Sequence, residues 1–162
     1  MPFKAKTSTS ESLQGNYWLT SLGEVVDLPS EFELVNPITL TGNTRDSQLI
    51  LKQTYQWKKL IESYGLRLVN VELSDSQAWV LKLGDLDNQF DLLLGRVEIE
   101  QRLSRFLFLF DSQFKQSNQQ LIRVDARYPN GLAIKSELIE VDEELASVNP
   151  EGTNLTTEQN TR

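Results

Sequence analysis

The sequence predicts an α+β domain: an antiparallel β-sheet flanked by two α-helices, followed by a disordered acidic tail. Three observations predict it. Apolar residues recur at helical spacing in two windows, 46–64 and 96–116. Between and after these windows the apolar period shortens to two, as in half-buried strands. Beyond residue 139 periodicity ends and the composition turns acidic, then rich in Asn, Thr and Gln.

In chain order, residues 1–15 are polar and are expected to be a flexible segment; residues 16–139 form the domain; residues 140–162 are the disordered tail. Tyr17, Trp18 and Leu19, then Val25 and Val26, flank a Gly23-containing turn and read as a hairpin that Pro29 closes. Pro37 and Gly42-Asn43 bracket what reads as a loop holding Ile38 and Leu40. The first helix has Asp46 or Ser47 as its cap, an apolar face through Leu49, Ile50, Leu51, Trp57, Leu60, Ile61 and Tyr64, and Gly65 as its stop. Three strands follow, at 66–73, 78–83 and 90–94, with connections short enough for antiparallel pairing. In the second helix Ile99, Leu103, Phe106, Leu107, Phe110 and Phe114 share one face, while Arg102 and Arg105 fall off that stripe and read as its solvated side. Residues 121–126 and 132–134, the latter extending toward Leu138, are strands joined by a turn at Tyr128-Pro129-Asn130-Gly131.

Composition excludes several functions. The net charge is −7, but residues 137–162 hold seven acidic side chains and one arginine, so the body is nearly neutral. It lacks the clustered Lys and Arg of a phosphate-binding surface, and Lys58-Lys59 is too short a run to supply one. There is no histidine, the commonest general base and neutral metal ligand, and no cysteine, so no disulfide framework and no thiol evidence of compartment. Asp85, Asp87 and Asp91 lack the ligand order of a calcium loop, with Leu86 interrupting it, and read as a plain turn. No cofactor or metal is expected. No apolar run approaches the ~20 residues that span a bilayer, and residues 1–13 show no apolar signal-peptide core, so the chain is expected to be soluble as it stands.

Specific letters carry a family resemblance. Leu93-Leu94-Gly95-Arg96, then Arg102-Leu103-Ser104-Arg105-Phe106, then Val124-Asp125-Ala126-Arg127-Tyr128 and Gly131-Leu132-Ala133 resemble the FtsQ/DivIB cell-division family in order and spacing. Trp79 and the segment 55–75 fit the same pattern, and the hairpin from Trp18 resembles the family's link between its two extracytoplasmic regions. The resemblance implies a non-catalytic divisome scaffold at the periplasmic face of the inner membrane, binding the FtsB–FtsL pair. It also implies a membrane anchor and a POTRA region, the first of which this sequence lacks, and most of the second. Family members commonly carry a Trp shortly after the last strand; Ser136 stands near that place here, which either removes that apolar support or moves it to Leu138 or Ile139.

The expected site is partner-binding: Arg127, Tyr128, Asn130, Gly131, Leu132, Ala133 and Ile134. A terminal strand leaves one row of N–H and C=O groups unpaired, which a partner segment can satisfy by adding a strand. Gly131 leaves room for backbone approach, and Tyr128 offers an aromatic anchor with a polar tip. The bland alternative is an ordinary hairpin in which Pro129 and Asn130-Gly131 only turn the chain. The other rivals are an envelope adaptor for some other peptide, a carboxylate-based cell-wall hydrolase, and a domain without a stable partner.

Overall fold

The computed structural model describes residues 3–7, 17–20, 22, 24–26, 37–84, 88–117 and 119–138. The acidic tail at 140–162 and the turns at 27–30 and 85–87 lie outside the described residues. Among the described residues the strands are β1 (Phe3–Thr7), β2 (Tyr17–Leu19), β3 (Val25–Val26), β4 (Thr39–Gly42), β5 (Arg67–Leu73), β6 (Trp79–Gly84), β7 (Gln89–Gly95), β8 (Gln119–Asp125) and β9 (Ala133–Leu138). They join in one sheet, ordered β3-β2-β1-β4-β5-β6-β7-β8-β9. The helices are α1 (Ser47–Ser63) and α2 (Ile99–Leu109), the latter prolonged by a π-helical turn, Phe110–Phe114.

The α+β class holds, but the sheet is mixed rather than antiparallel throughout. The β5–β6–β7 meander and the β8–β9 hairpin are antiparallel, as their short connections require. β4 pairs parallel with β5, and β7 parallel with β8. Each of these parallel pairs is joined by one helix, so the chain contains two strand–helix–strand crossovers. Two stretches read otherwise from sequence are strands. The expected loop around Ile38 and Leu40 contains β4, whose alternating burial places Leu40 opposite Val71 of β5. The expected flexible N-terminus contains β1, paired antiparallel with β2 and parallel with β4. Both strands are short, four and five residues, so neither offers enough periodicity to be recognised without its neighbours.

Both helices cover one face of the sheet. Trp57 of α1 meets Trp79 of β6 edge-on, with ring centroids 5.0 Å apart. Phe106 of α2 lies 5.8 Å from Phe90 of β7. Val71, Leu81, Leu92 and Val124 are register partners across β5, β6, β7 and β8 and are wholly buried beneath the helices. The two helices are tied together where the Trp57 indole N–H reaches the Glu100 carboxylate at 3.2 Å. Of the apolar face expected for α1, Ile50, Leu51, Trp57 and Ile61 are buried, whereas Leu49 and Leu60 are exposed. The N-terminal cap differs too. Asp46 makes no side-chain capping bond; Asn43 instead accepts from the Arg45 N–H at the head of a 3-10 turn, Thr44–Asp46. Gly65 follows the helix at φ +81°, the left-handed conformation that glycine takes without strain.

The opposite face is polar and carries cross-strand pairs. Thr41 donates to Asn70 at 3.1 Å, and Lys82 pairs with Asp91 at 2.9 Å. At the far end β9 pairs only with β8, so among the described residues its outer edge is unpaired.

Candidate functional site

The site is built where four sequence segments meet: the end of β7, the first turns of α2, the end of β8, and the turn into β9. The Ala126 N–H donates to the Leu93 carbonyl at 2.9 Å, carrying the β7–β8 pairing one residue past the strand. Arg102 is buried and donates from Nη1 to the Leu94 carbonyl at 2.7 Å, with the Glu98 carboxylate 3.8 Å from Nη2. Arg105 uses its fork on three carbonyl oxygens: Pro129 at 2.6 Å from Nη1, and Ala126 at 3.0 Å and Tyr128 at 2.8 Å from Nη2. These contacts correct the reading of Arg102 and Arg105 as a solvated helix face. Arg102 is buried and Arg105 half-buried, and their planar heads find main-chain acceptors, a geometry that a lysine point charge cannot reproduce. The signal in the sequence was two arginines three residues apart, hence one above the other on α2.

Gly95 is where these groups come closest. Its φ is +79°, and a Cβ built there would stand 2.9 Å from Arg102 Nη1 and 3.2 Å from Arg127 Cγ. The absent side chain thus lets Arg127 lie across the end of β7. Arg127 then closes on Asp125 through Nε at 2.9 Å and Nη2 at 2.6 Å, while its own backbone N–H donates to the same carboxylate at 3.0 Å. The Arg127 guanidinium holds the Asp125 carboxyl below its ordinary value, and the carboxylate raises Arg127 in return. The nearby Arg123 acts on Asp125 in the same direction.

The expected site residues are brought together, in differing degrees of exposure. Tyr128 is 55% exposed and Ile134 37% exposed, while Leu132 is half-buried against the core. Arg127, Asn130 and Ala133 are exposed and Gly131 is intermediate. Gly131 does not adopt a positive φ, so the turn does not need a glycine for its dihedrals, contrary to the sequence reading of Asn130-Gly131. A Cβ at Gly131 would meet nothing within 4 Å. β9 runs from Ala133 to Leu138, past Ile134 where the expected site ends, and adds exposed Lys135, Glu137 and Leu138 to the edge. Register pairs Ile134 with buried Val124, so Ile134 faces the helix side; Lys135 pairs with Arg123 on the polar side. Ser136, standing where a family Trp is expected, lies opposite Leu121 and is half-buried; Leu138 is 75% exposed, and Ile139 lies outside the described residues.

Comparison with known proteins agrees with the motifs that converge here. The profile of the family described as "Cell division protein FtsQ/DivIB, C-terminal" matches residues 11–127. Relatives called cell division protein FtsQ come from several bacteria. That of Hahella chejuensis is 31% identical over 96 residues, 59% of this chain and 33% of the relative. That of Shewanella oneidensis is 33% identical over 120 residues, 74% of this chain and 44% of the relative. That of Cellvibrio japonicus is 26% identical over 121 residues, 75% of this chain and 37% of the relative. The chain thus spans from a third to under half the length of these relatives. Among the described residues no helix is long and apolar enough to cross a membrane. The match over residues 11–127 takes in Gly95, Arg102, Arg105 and the Asp125–Arg127 pair, and the chain belongs to the FtsQ/DivIB family of cell-division proteins.

Proposed function

We propose that the domain is a non-catalytic scaffold of the divisome that holds the FtsB–FtsL pair by accepting the FtsB C-terminal segment as an added strand along β9. The observation that carries this reading is the outer edge of β9, unpaired among the described residues, with Ile134 exposed on it and Tyr128 exposed in the turn before it. The main-chain N–H and C=O groups of such an edge supply affinity, and side chains beside it supply selectivity. Tyr128 is the aromatic anchor, and Gly131 leaves the approach unobstructed. Arg105 and Arg102 are positioning residues: they hold the turn and the end of β7 through main-chain carbonyls, so the edge is presented in one geometry. Arg127, paired with Asp125, leaves 56% of its side chain exposed next in sequence to Tyr128. In this reading the scaffold works at the periplasmic face of the inner membrane through the domain of residues 16–139, to whose sheet β1 adds a strand.

The test is calorimetric titration of the 162-residue chain with a peptide of the FtsB C-terminal region. Binding that weakens at least about tenfold in Tyr128→Ala supports the assignment. A folded wild-type domain that takes up no peptide at high micromolar concentration overturns it, and a different envelope peptide bound at the same edge would move the protein to another adaptor role.

A further inference from the structure

On the face of the sheet away from the helices, one register row crosses five strands. Asn70, Lys82, Asp91, Arg123 and Lys135 are successive partners across β5, β6, β7, β8 and β9. Their chain neighbours Val71, Leu81, Leu92, Val124 and Ile134 face the helices, and side chains alternate between faces, so the row stands on the polar side. Three of its five members are cations and one is an anion. Asp91 is committed to Lys82 at 2.9 Å. The next carboxylate on that face of β8, Asp125, is committed to Arg127 at 2.6 Å. Arg123 and Lys135 are thus left opposite one another, both exposed, with no ion pair among the described residues. Glu137, two positions along β9, forms none with Lys135. Like charges directly opposite in an antiparallel pair are destabilising, and an anion lying across both relieves them.

The chain itself carries anions within reach. Glu140, Asp142, Glu143 and Glu144 put four acids into five residues, with no base after them before Arg162. They follow directly on β9, the strand that bears Lys135 and ends at Leu138. Strand geometry puts Lys135 about 10 Å back from Leu138, and Lys82 a further three strand spacings across, about 14 Å. Lys82 is then about 17 Å from Leu138 in a straight line. An extended chain covers about 3.3 Å per residue, so Asp142 to Glu144 reach about 13–20 Å from Leu138, far enough for the whole row. A segment tied to the same strand acts at a high effective concentration, so ion pairs that are individually weak hold it at low salt.

We infer that the acidic segment 140–144 docks across the polar face of the sheet, with its carboxylates on Arg123 and Lys135 and its far end toward Lys82. The segment covers the cationic row, and an acidic partner reaches that row only by displacing it. The contact lies on the face of β8 and β9 and not along the outer edge. It goes beyond the proposed function and does not depend on which partner the domain holds.

The experiment is paramagnetic broadening of amide signals in the full 162-residue chain. The sequence has no cysteine, so Ser147→Cys gives a single place for a nitroxide label, three residues past Glu144. In about 0.01 M salt the amides of Lys82, Asp91 and Arg123 are expected to lose about half or more of their intensity. In about 1 M salt, where the screening length falls to about 3 Å, they are expected to regain it. The labelled chain carrying R123E/K135E, at two exposed positions, should show the high-salt intensities at both salt concentrations. Equal intensities at Lys82 and Asp91 in low and high salt overturn the inference. So does broadening that the double exchange leaves in place, or broadening stronger at Lys59 and Phe108 on the helices than at Lys82. The salt comparison uses the sheet with both cations present, so it decides the matter even if the double exchange fails to fold. No partner peptide enters the measurement, so its failure leaves the partner reading standing, and failure of the peptide titration leaves this one standing.

Discussion

The guanidinium of Arg105 donates to the main-chain carbonyl of Tyr128 at 2.8 Å, tying the middle of α2 to the turn that opens β9. Its other bonds reach Ala126 and Pro129, so one side chain fixes three carbonyls around a bend. Replacing it with alanine leaves the Ala126 carbonyl without that donor and is expected to cost about 1–3 kcal/mol of stability. Denaturant unfolding measures that cost, and amide exchange at 128–134 should accelerate beyond what the global loss explains. Arg105→Lys should recover little of this, because an ammonium cannot span the fork.

Two glycines near the site predict opposite results. Gly95→Ala forces a side chain into a left-handed position and against Arg102 and Arg127, so stability should fall by about 1–3 kcal/mol. Gly131→Ala meets open space at an ordinary φ, so the unfolding midpoint should be unchanged or slightly raised. Partner affinity should nevertheless fall, because the new methyl group stands where a strand approaches. Thermal unfolding and peptide titration, run on both variants, separate the two effects.

The Asp125–Arg127 pair predicts a pH dependence with a definite sign. The Asp125 carboxyl is held below its ordinary value when folded, so the unfolded chain takes up a proton first as pH falls. The pair's contribution to stability is complete above the unfolded pKa, about 3.9, and is lost as pH falls through the lower folded value. Asp125→Asn should therefore lose stability at pH 7 and show a flatter profile below pH 4 than wild type. Urea unfolding at pH 7 and at two acid values checks this.

The contact between the helices gives a prediction remote from the edge. Glu100 accepts from the Trp57 indole at 3.2 Å and from the Gln53 amide at 2.5 Å. Trp57 is 1% exposed, so Glu100→Ala leaves a buried N–H unsatisfied and should destabilise by about 1–3 kcal/mol. Glu100→Gln retains an acceptor and should cost less. Peptide affinity, measured on the folded fraction, should not change in either variant.

What the sequence disclosed depended on whether the signal was local. α1, α2 and the β5–β6–β7 meander follow apolar patterns that run for five residues or more, and all stand close to where those patterns put them. β4 did not, because its four residues lie between Pro37 and Asn43 and end in Gly42, which read as turn chemistry, and only pairing with β1 and β5 makes them a strand. The parallel pairing of β7 with β8 was implicit in the long helical connection, but the short loops elsewhere in the sheet favoured an all-antiparallel reading. Of the site, Tyr128 and the final strand were legible as turn and edge. Arg102 and Arg105 were not, since their acceptors are main-chain carbonyls 8 to 24 residues away, and helical periodicity assigns charged residues to solvent by default.

Strand addition at β9 is tested most directly by amide hydrogen exchange across residues 133–138, with and without saturating FtsB peptide. An added strand bonds to every second residue of the edge it joins. Slowed exchange at alternate β9 amides, with β5, β6 and β7 unchanged, is the predicted result. Protection confined to α1 or to the polar sheet face, with β9 exchanging as fast as in the free protein, would contradict it.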